Sequence, residues 1–289
     1  MINMKRLADR DFWRIVSGVV LTGILFAGPV NLRAEIILQD DFSNGNKNDS
    51  SNFNWTDNSN NVYVKNDPVT GKSTIPYSDS YSLAFTHRAK PDGSDSTAEQ
   101  RFRLGKNYPE LWFSYYIRVP DNYYNRTQTS SDNSKFLALW SDTYEGNGIT
   151  VVLEYWPTGD GGSKLAWRQV LNSTRKQHKD HTRIITVPGD RGKWMHFVYH
   201  VKMASKVGVN DGVVQTWLKK EGESSYRQIH NVTNANISAS GATPGFNTGY
   251  FFGWSNAGFD EETSFYIDDV VISTTPLLGA APNPPSIIP

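Results

Sequence analysis

The segment GKWMHFVYHVKMAS, residues 192–205, differs in character between its odd and even positions. The odd positions are apolar: Met195, Phe197, Tyr199, Val201 and Met203. The even positions are mixed: Trp194, His196, Val198, His200 and Lys202. Because successive side chains of a β-strand point to opposite faces, the alternation predicts a strand with one face in a hydrophobic core. The other face then carries two histidines and a lysine.

Further short runs of this kind lie between clusters of Gly, Asn, Asp and Ser. They are EIILQDDF, SYSLAFTHRA, AEQRFRLG, LWFSYYIRVP, KFLALWSD, GITVVLEYW, KLAWRQVL, RIITVP, GVVQTWLKK, YFFGWS and SFYIDDVVIS. They are rich in β-branched and aromatic residues, and turn residues bound them at the spacing of β-sandwiches. A long amphipathic helical pattern is absent from the sequence. We therefore predict an all-β fold, a two-sheet antiparallel jelly-roll sandwich.

The two ends of the chain differ from its middle. Residues 1–34 combine a basic leader with an apolar run too short for a comfortable membrane span, which predicts a secretory signal peptide and a secreted or periplasmic protein. An uncleaved N-terminal anchor is the alternative. Residues 276–289 are Pro-rich and unpatterned, which is typical of a linker or a disordered tail. Residues 35–275 remain as one β domain.

Composition excludes several classes of site and partner. The 289 residues contain no cysteine, so disulfides and thiolate metal sites are excluded. The 29 Lys and Arg residues balance 29 Asp and Glu residues, which argues against a nucleic-acid-binding protein. We expect a monomer that does not bind nucleic acid and does not bind membranes once the signal has been removed.

The outward parities of several strands carry aromatic and hydrogen-bonding side chains instead of the usual Lys, Glu, Thr and Ser. In LWFSYYIRVP this parity contains Trp112, Tyr116 and Arg118, and in GITVVLEYW it contains Glu154 and Trp156. Aromatic rings stack on sugar faces while polar groups bind hydroxyls, so these faces indicate a site for a long carbohydrate.

The order of the segments DDF, SYSLAF, AEQRFRLG, ELWFSYYIRVP, NSKFLALW, GKWMHFVYHVK, NDGVVQTWL and FYIDDVVIS resembles concanavalin-A-like jelly rolls. Such domains occur among secreted polysaccharide lyases and carbohydrate-binding modules. The resemblance covers roughly residues 36–274 and is nearest to the glucuronan-lyase and heparin-lyase-like group. It implies cleavage of a uronic-acid-containing, anionic polysaccharide by β-elimination, with no cofactor required. The Gln228-Ile229-His230 tripeptide of one alginate lyase family lacks that family's other motifs here.

β-Elimination needs a group that neutralises the uronate carboxylate, a base for the neighbouring proton and an acid for the departing oxygen. Arginine suits the first task, and histidine, tyrosine and lysine suit the other two. The candidate catalytic residues are His200, His196, Tyr116, Arg118, Lys135, Lys202 and His87. The candidate substrate-binding residues are Trp112, Glu154, Trp156, Trp167 and Gln169.

Alternatives stay open at the level of the sequence. The histidines are also compatible with structural roles, and Arg118 with a surface ion pair to Glu154 or Glu99. A noncatalytic carbohydrate-binding module fits the same faces, as does a hydrolase whose acid pair comes from Glu99 and Glu154. Asp41 and Asp269 are candidate ligands of a structural calcium ion if the terminal strands pair. The alternative is that Asp268 and Asp269 only cap turns and bond loop backbone.

Overall fold

The architecture comes from a computed structural model. It describes residues 35–47, 54–66, 81–127, 134–141, 143–145, 148–171, 174–177, 181–238 and 244–278. These ranges contain β-strands and turns and no α-helix. The predicted signal peptide and most of the Pro-rich tail lie outside the described residues, so both stay predictions. Among the described residues, no helix has the length and hydropathy needed to cross a bilayer.

The strands, numbered in chain order, form two sheets in which every pairing is antiparallel. Sheet A has the spatial order β14 (Arg227–Ala235), β13 (Gly212–Lys220), β12 (Trp194–Lys202), β6 (Glu110–Arg118), β16 (Thr263–Ser273), β4 (Tyr81–His87) and β3 (Val62–Asn66), and β1 (Ile36–Asp40) pairs with β16. Sheet B has the order β10 (Thr174–Gln177), β9 (Ser163–Leu171), β8 (Ile149–Pro157), β7 (Ser134–Trp140), β15 (Phe246–Ser255), β5 (Ser96–Tyr108) and β2 (Asn54–Asn60), and β11 (Thr182–Ile185) pairs with β9.

The core lies between the two sheets and is rich in aromatic rings. The apolar parity of β12 is buried in it, as the alternation predicts. Phe136 of sheet B connects the layers, because its ring centroid lies 4.9 Å from that of Phe197 and 5.8 Å from that of Tyr115, both of sheet A. The all-β jelly-roll prediction is therefore confirmed. Each sheet turns its second face away from this core, and these two surfaces are called the outer face of sheet A and the outer face of sheet B.

Candidate functional site

The predicted site residues divide between the two outer faces. Trp112, Tyr116, Arg118, His196, His200 and Lys202 lie on β6 and β12 of sheet A. Lys135, Glu154 and Trp156 lie on β7 and β8 of sheet B. The core separates the two groups, so they do not form one site. Alternation within a strand shows which residues share a face of that strand, but it does not show which strands share a sheet.

His200 is held tightly on the outer face of sheet A. Its ring stacks on Trp112 with centroids 4.0 Å apart, Nδ1 lies 2.9 Å from Gln215 Oε1 and Nε2 lies 2.8 Å from Glu110 Oε1. Trp217 also stacks with Trp112, with ring centroids 5.7 Å apart, and Trp112 is only 7% exposed. Trp112 therefore has little surface open to a sugar, which argues against its predicted stacking role.

His196 has the same kind of environment. Its ring stacks on Tyr116 with centroids 4.1 Å apart, and its nitrogens bond to Ser114 Oγ, at 2.7 Å, and to the Tyr226 hydroxyl. Burial, with the nearby Lys219 charge, lowers the pKa of His196 to about 3. The imidazole is neutral at pH 7, but both nitrogens are engaged with side chains of the protein. A cavity of about 180 Å³ adjoins it, lined partly by Lys219 and Glu223.

The two predicted cations on this sheet pair locally. Arg118 donates to both carboxylate oxygens of Asp121, at 3.1 and 3.2 Å, so the alternative of an ion pair with Glu154 or Glu99 is wrong. Lys202 Nζ lies 3.4 Å from an oxygen of Glu110, and about half of the Lys202 side chain is exposed.

Three other predicted residues are buried in the interior. His87 packs against the rings of Phe259 and Phe265, and burial lowers its pKa to about 4. Trp167 belongs to the core, and Gln169 shares its parity on β9 and is 2% exposed. A polymer in solvent does not reach these side chains, so the predicted contacts with substrate are wrong. For Trp167 and Gln169 the sequence predicted the wrong face of the strand, because both faces of KLAWRQVL carry a mixture of apolar and polar residues.

The outer face of sheet B contains a buried charged cluster. Lys135 lies opposite Glu154 across β7 and β8, with Nζ 3.3 Å from Glu154 Oε1. Arg168 on β9 donates from Nε to the same oxygen at 2.7 Å, and its Nη1 lies 2.7 Å from Glu145 Oε1. Glu154 is fully buried, and its Oε2 makes no hydrogen bond within the described part of the chain. Burial lowers the pKa of Lys135, although the Glu154 charge opposes this effect.

Two tyrosines adjoin this charged cluster. The Tyr250 hydroxyl donates to the Tyr144 hydroxyl at 2.9 Å. Burial raises the pKa of Tyr144 to about 12 and that of Tyr250 well above its ordinary value. Trp140 packs against both rings, with centroids 5.3 Å from Tyr144 and 5.7 Å from Tyr250. Both phenols are therefore protonated at neutral pH and are suited to donating a hydrogen bond or a proton.

A separate ion pair borders the tyrosines on β5. Arg101 pairs with Glu99, and its guanidinium lies 5.8 Å from the centroid of Trp140. Glu99 and Glu154 thus lie on the same outer face, as the hydrolase alternative requires. However, each carboxylate is ion-paired, and Glu154 has no exposed surface. Neither group has the unpaired, accessible form that a nucleophile or a general acid needs.

Arg168, Glu145, Tyr144 and Tyr250 were not among the predicted site residues. Arg168 has a visible signal, because a charged residue in the middle of the strand KLAWRQVL needs a partner if it is buried. Tyr144 and Glu145 follow β7 in a turn, where no periodicity indicates which side chains fold back over the sheet.

The terminal strands β1 and β16 pair, as the calcium hypothesis requires. Asp41 Oδ1 accepts a hydrogen bond from the Ser43 amide at 3.0 Å. Within the described ranges, no three His, Asp or Glu side chains converge as a metal site would require. The calcium site at Asp41 and Asp269 stays a prediction.

Comparisons with known proteins give the following matches. A family model described as polysaccharide lyase matches residues 39–271. No curated protein matches the sequence. The fold is similar to that of the alginate lyase vAL-1 from Chlorella virus, with 11% identity, 83% of this chain and 100% of that chain covered, and a TM-score of 0.49. It is also similar to alginate lyase Aly36B in complex with an alginate trisaccharide (12% identity, 68% and 84% covered, TM-score 0.48). A family 16 glycoside hydrolase from Bacteroides ovatus gives 12% identity, 82% and 100% coverage, and a TM-score of 0.47.

Proposed function

Since this chain belongs to the polysaccharide lyase family, we propose that it cleaves an anionic, uronic-acid-containing polysaccharide by β-elimination on the outer face of sheet B. The enzyme acts outside the cytoplasm, after removal of residues 1–34. The observation that carries the proposal is the buried cluster of Lys135, Glu154 and Arg168, in which two cations meet at one carboxylate oxygen.

The cluster provides two of the three groups that elimination needs. Arg168 supplies positive charge that offsets the uronate carboxylate, which makes the proton on C5 more acidic. Lys135 is the base, because burial lowers its pKa and so increases the fraction of neutral amine near pH 7. Glu154 holds both cations in place, since its Oε1 is within 3.3 Å of Lys135 Nζ and 2.7 Å of Arg168 Nε.

The tyrosine pair provides the third group. As Lys135 takes the C5 proton, a double bond forms between C4 and C5 and the C4–O bond breaks. Tyr144 then protonates the departing oxygen, and Tyr250, whose hydroxyl donates to that of Tyr144 at 2.9 Å, supports the phenolate that forms. The raised pKa of Tyr144 keeps its proton available across the neutral range. The reaction needs no cofactor, since side chains supply every proton and charge.

The outer face of sheet A is the weaker location for this chemistry. Both nitrogens of His196 and of His200 are bonded to protein groups, and their ring faces are stacked on Tyr116 and Trp112. A histidine base on this face would first have to break the hydrogen bond at its unprotonated nitrogen. Lys135 instead has a carboxylate partner that stabilises its protonated form after proton transfer.

The test is to incubate the mature protein with alginate, glucuronan, pectate and heparin, with a neutral glucan as control. We expect new ultraviolet absorbance from the unsaturated product to rise in parallel with new reducing ends on at least one uronate polymer. Reducing ends without absorbance would show hydrolysis, and retention on a polymer without either signal would show a binding module. Either result would overturn the proposal.

A chelator tests whether a bound metal ion takes part in the reaction or only stabilises the fold. Dialysis against EDTA should leave the initial rate unchanged, because Arg168 supplies the positive charge. A lower melting temperature with an unchanged rate is the result expected from a structural calcium ion at Asp41 and Asp269. Loss of the rate, restored by added calcium, would contradict the cofactor-free reaction.

A further inference from the structure

Trp254 is the feature of sheet B that the proposed reaction does not use. Its side chain is 49% exposed, although a tryptophan buries more apolar surface than any other residue when it packs. It follows Gly253 near the end of β15 and lies opposite Thr97 of β5. On a strand of a polysaccharide lyase, a half-exposed indole indicates a surface that contacts a ligand.

The register places this indole on the outer face of sheet B. Ser255 lies opposite Ser134, and their hydroxyls are hydrogen-bonded at 2.9 Å. Ser134 precedes Lys135, which points outward with Glu154, so Ser134 and Ser255 point inward. Trp254, one residue before Ser255, therefore points outward, on the same face as Lys135.

Gly253 joins the indole to the charged cluster. A Cβ atom at this position would lie 3.1 Å from the ring of Tyr250, 3.4 Å from Glu99 Oε2 and 3.4 Å from Lys135 Cβ, so the space around Gly253 is filled. The backbone φ of +123° is one that residues with side chains rarely adopt. The backbone that carries Trp254 is therefore packed directly beside Lys135.

We infer that Trp254 forms a sugar-binding subsite beside Lys135 that accepts an unsulfated pyranose ring; this inference rests on the proposed function. The indole face carries partial negative charge and attracts C–H groups and cations, while it disfavours anions. A pyranose whose C–H face lies on Trp254 suits the indole, and a sulfate held against that face is repelled by it. The substrate class is therefore a polyuronate without sulfate.

The test compares wild type with Trp254→Ala, Trp254→Phe and a matched control, Tyr63→Ala, which removes a 51% exposed aromatic from β3 of sheet A. The substrate is the uronate polymer that the wild type cleaves fastest. We expect Trp254→Ala to raise KM about tenfold with kcat within about twofold, Trp254→Phe to recover most of the loss, and Tyr63→Ala to match the wild type. An unchanged KM in Trp254→Ala would overturn the inference.

A second experiment measures binding, so that a failure of this inference can be distinguished from a failure of the proposed function. Each protein is run by affinity electrophoresis in gels containing alginate or the same alginate after chemical sulfation. We expect the wild type to be retarded more by the unsulfated polymer, and this preference to shrink in Trp254→Ala. Stronger retardation by the sulfated polymer would overturn the inference even if the enzyme is active. Absence of cleavage with retardation that depends on Trp254 would overturn the elimination mechanism alone.

Discussion

Lys135 and Glu154 lie opposite each other on neighbouring strands of sheet B, with Nζ 3.3 Å from Oε1, and the carboxylate is fully buried. Arg168 donates to the same oxygen, so two cations share one acceptor while Glu154 Oε2 has no hydrogen bond within the described residues. Buried charges of this kind are costly to desolvate, and the cost is offset only by close pairing. Such arrangements are common where a protein adjusts the pKa of a functional group.

Glu154→Gln tests the coupling between these two residues through pH. Burial lowers the pKa of Lys135 and the Glu154 charge raises it, so removing that charge lowers the pKa further. Because the base must be neutral, we expect the acidic limb of the kcat/KM profile to move to lower pH. Since the variant loses a buried ion pair, its free energy of unfolding should also fall, by about 3 kcal/mol.

The control for this variant is Glu110→Gln on the other sheet. Glu110 also pairs with a lysine, Lys202, at 3.4 Å, but on the outer face of sheet A. Its pH profile should coincide with that of the wild type. A Glu154→Gln profile displaced to higher pH would show that Lys135 is not the titrating base.

His200→Gln tests directly which of the two outer faces carries the catalytic base. The hypothesis drawn from the sequence makes His200 the base and requires the activity to disappear. The structure bonds both of its nitrogens to Gln215 and Glu110, so we expect kcat/KM within about twofold of the wild type and a lower melting temperature. A hundredfold loss of kcat in a folded variant would return the site to sheet A.

His87 gives the fold a dependence on acid that is independent of catalysis. Its pKa is about 4 in the folded protein and 6.5 in the unfolded chain, so the unfolded state binds a proton first as the pH falls. The stability due to its neutral form is present above pH 6.5 and is lost as the pH falls from 6.5 to 4, by about 3 kcal/mol.

Urea unfolding at pH 7 and pH 4 checks this effect. His87→Phe places an uncharged ring among Phe259 and Phe265, so the difference in unfolding free energy between the two pH values should shrink by about 3 kcal/mol. The exposed His181 is the control, and His181→Phe should leave the difference unchanged. An undiminished difference in His87→Phe would show that His87 is not responsible.

The sequence was a good guide to the fold because alternation in a strand follows directly from backbone geometry. The apolar parity of GKWMHFVYHVKMAS is buried in the core as predicted. The same pattern gave the wrong face for Trp167 and Gln169, since KLAWRQVL carries apolar and polar residues on both parities. A strand with buried charged residues on its outer face does not alternate regularly between apolar and polar residues. Its periodicity then does not indicate which face lies in the core.

The site was only partly accessible from the sequence, because its residues come together through sheet order. Lys135 and Glu154 were both named as candidates, and the structure brings them together with Arg168 from the next strand. His196 and His200 were more conspicuous, yet they fill a stacked layer with Tyr116 and Trp112. Which of these side chains form a charged cluster and which form a stacked layer depends on pairing between strands that are distant in the chain. No local sequence motif indicates that pairing.

The most direct measurement compares Lys135→Met with Lys202→Met, because each lysine lies beside a glutamate and the two lie on opposite outer faces. Initial rates of ultraviolet absorbance are followed on the best uronate substrate, with circular dichroism to show that both variants are folded. We predict that Lys135→Met loses at least about a hundredfold in kcat while Lys202→Met keeps the wild-type rate. A folded Lys135→Met enzyme with full activity, or a loss confined to Lys202→Met, would contradict a catalytic site on sheet B.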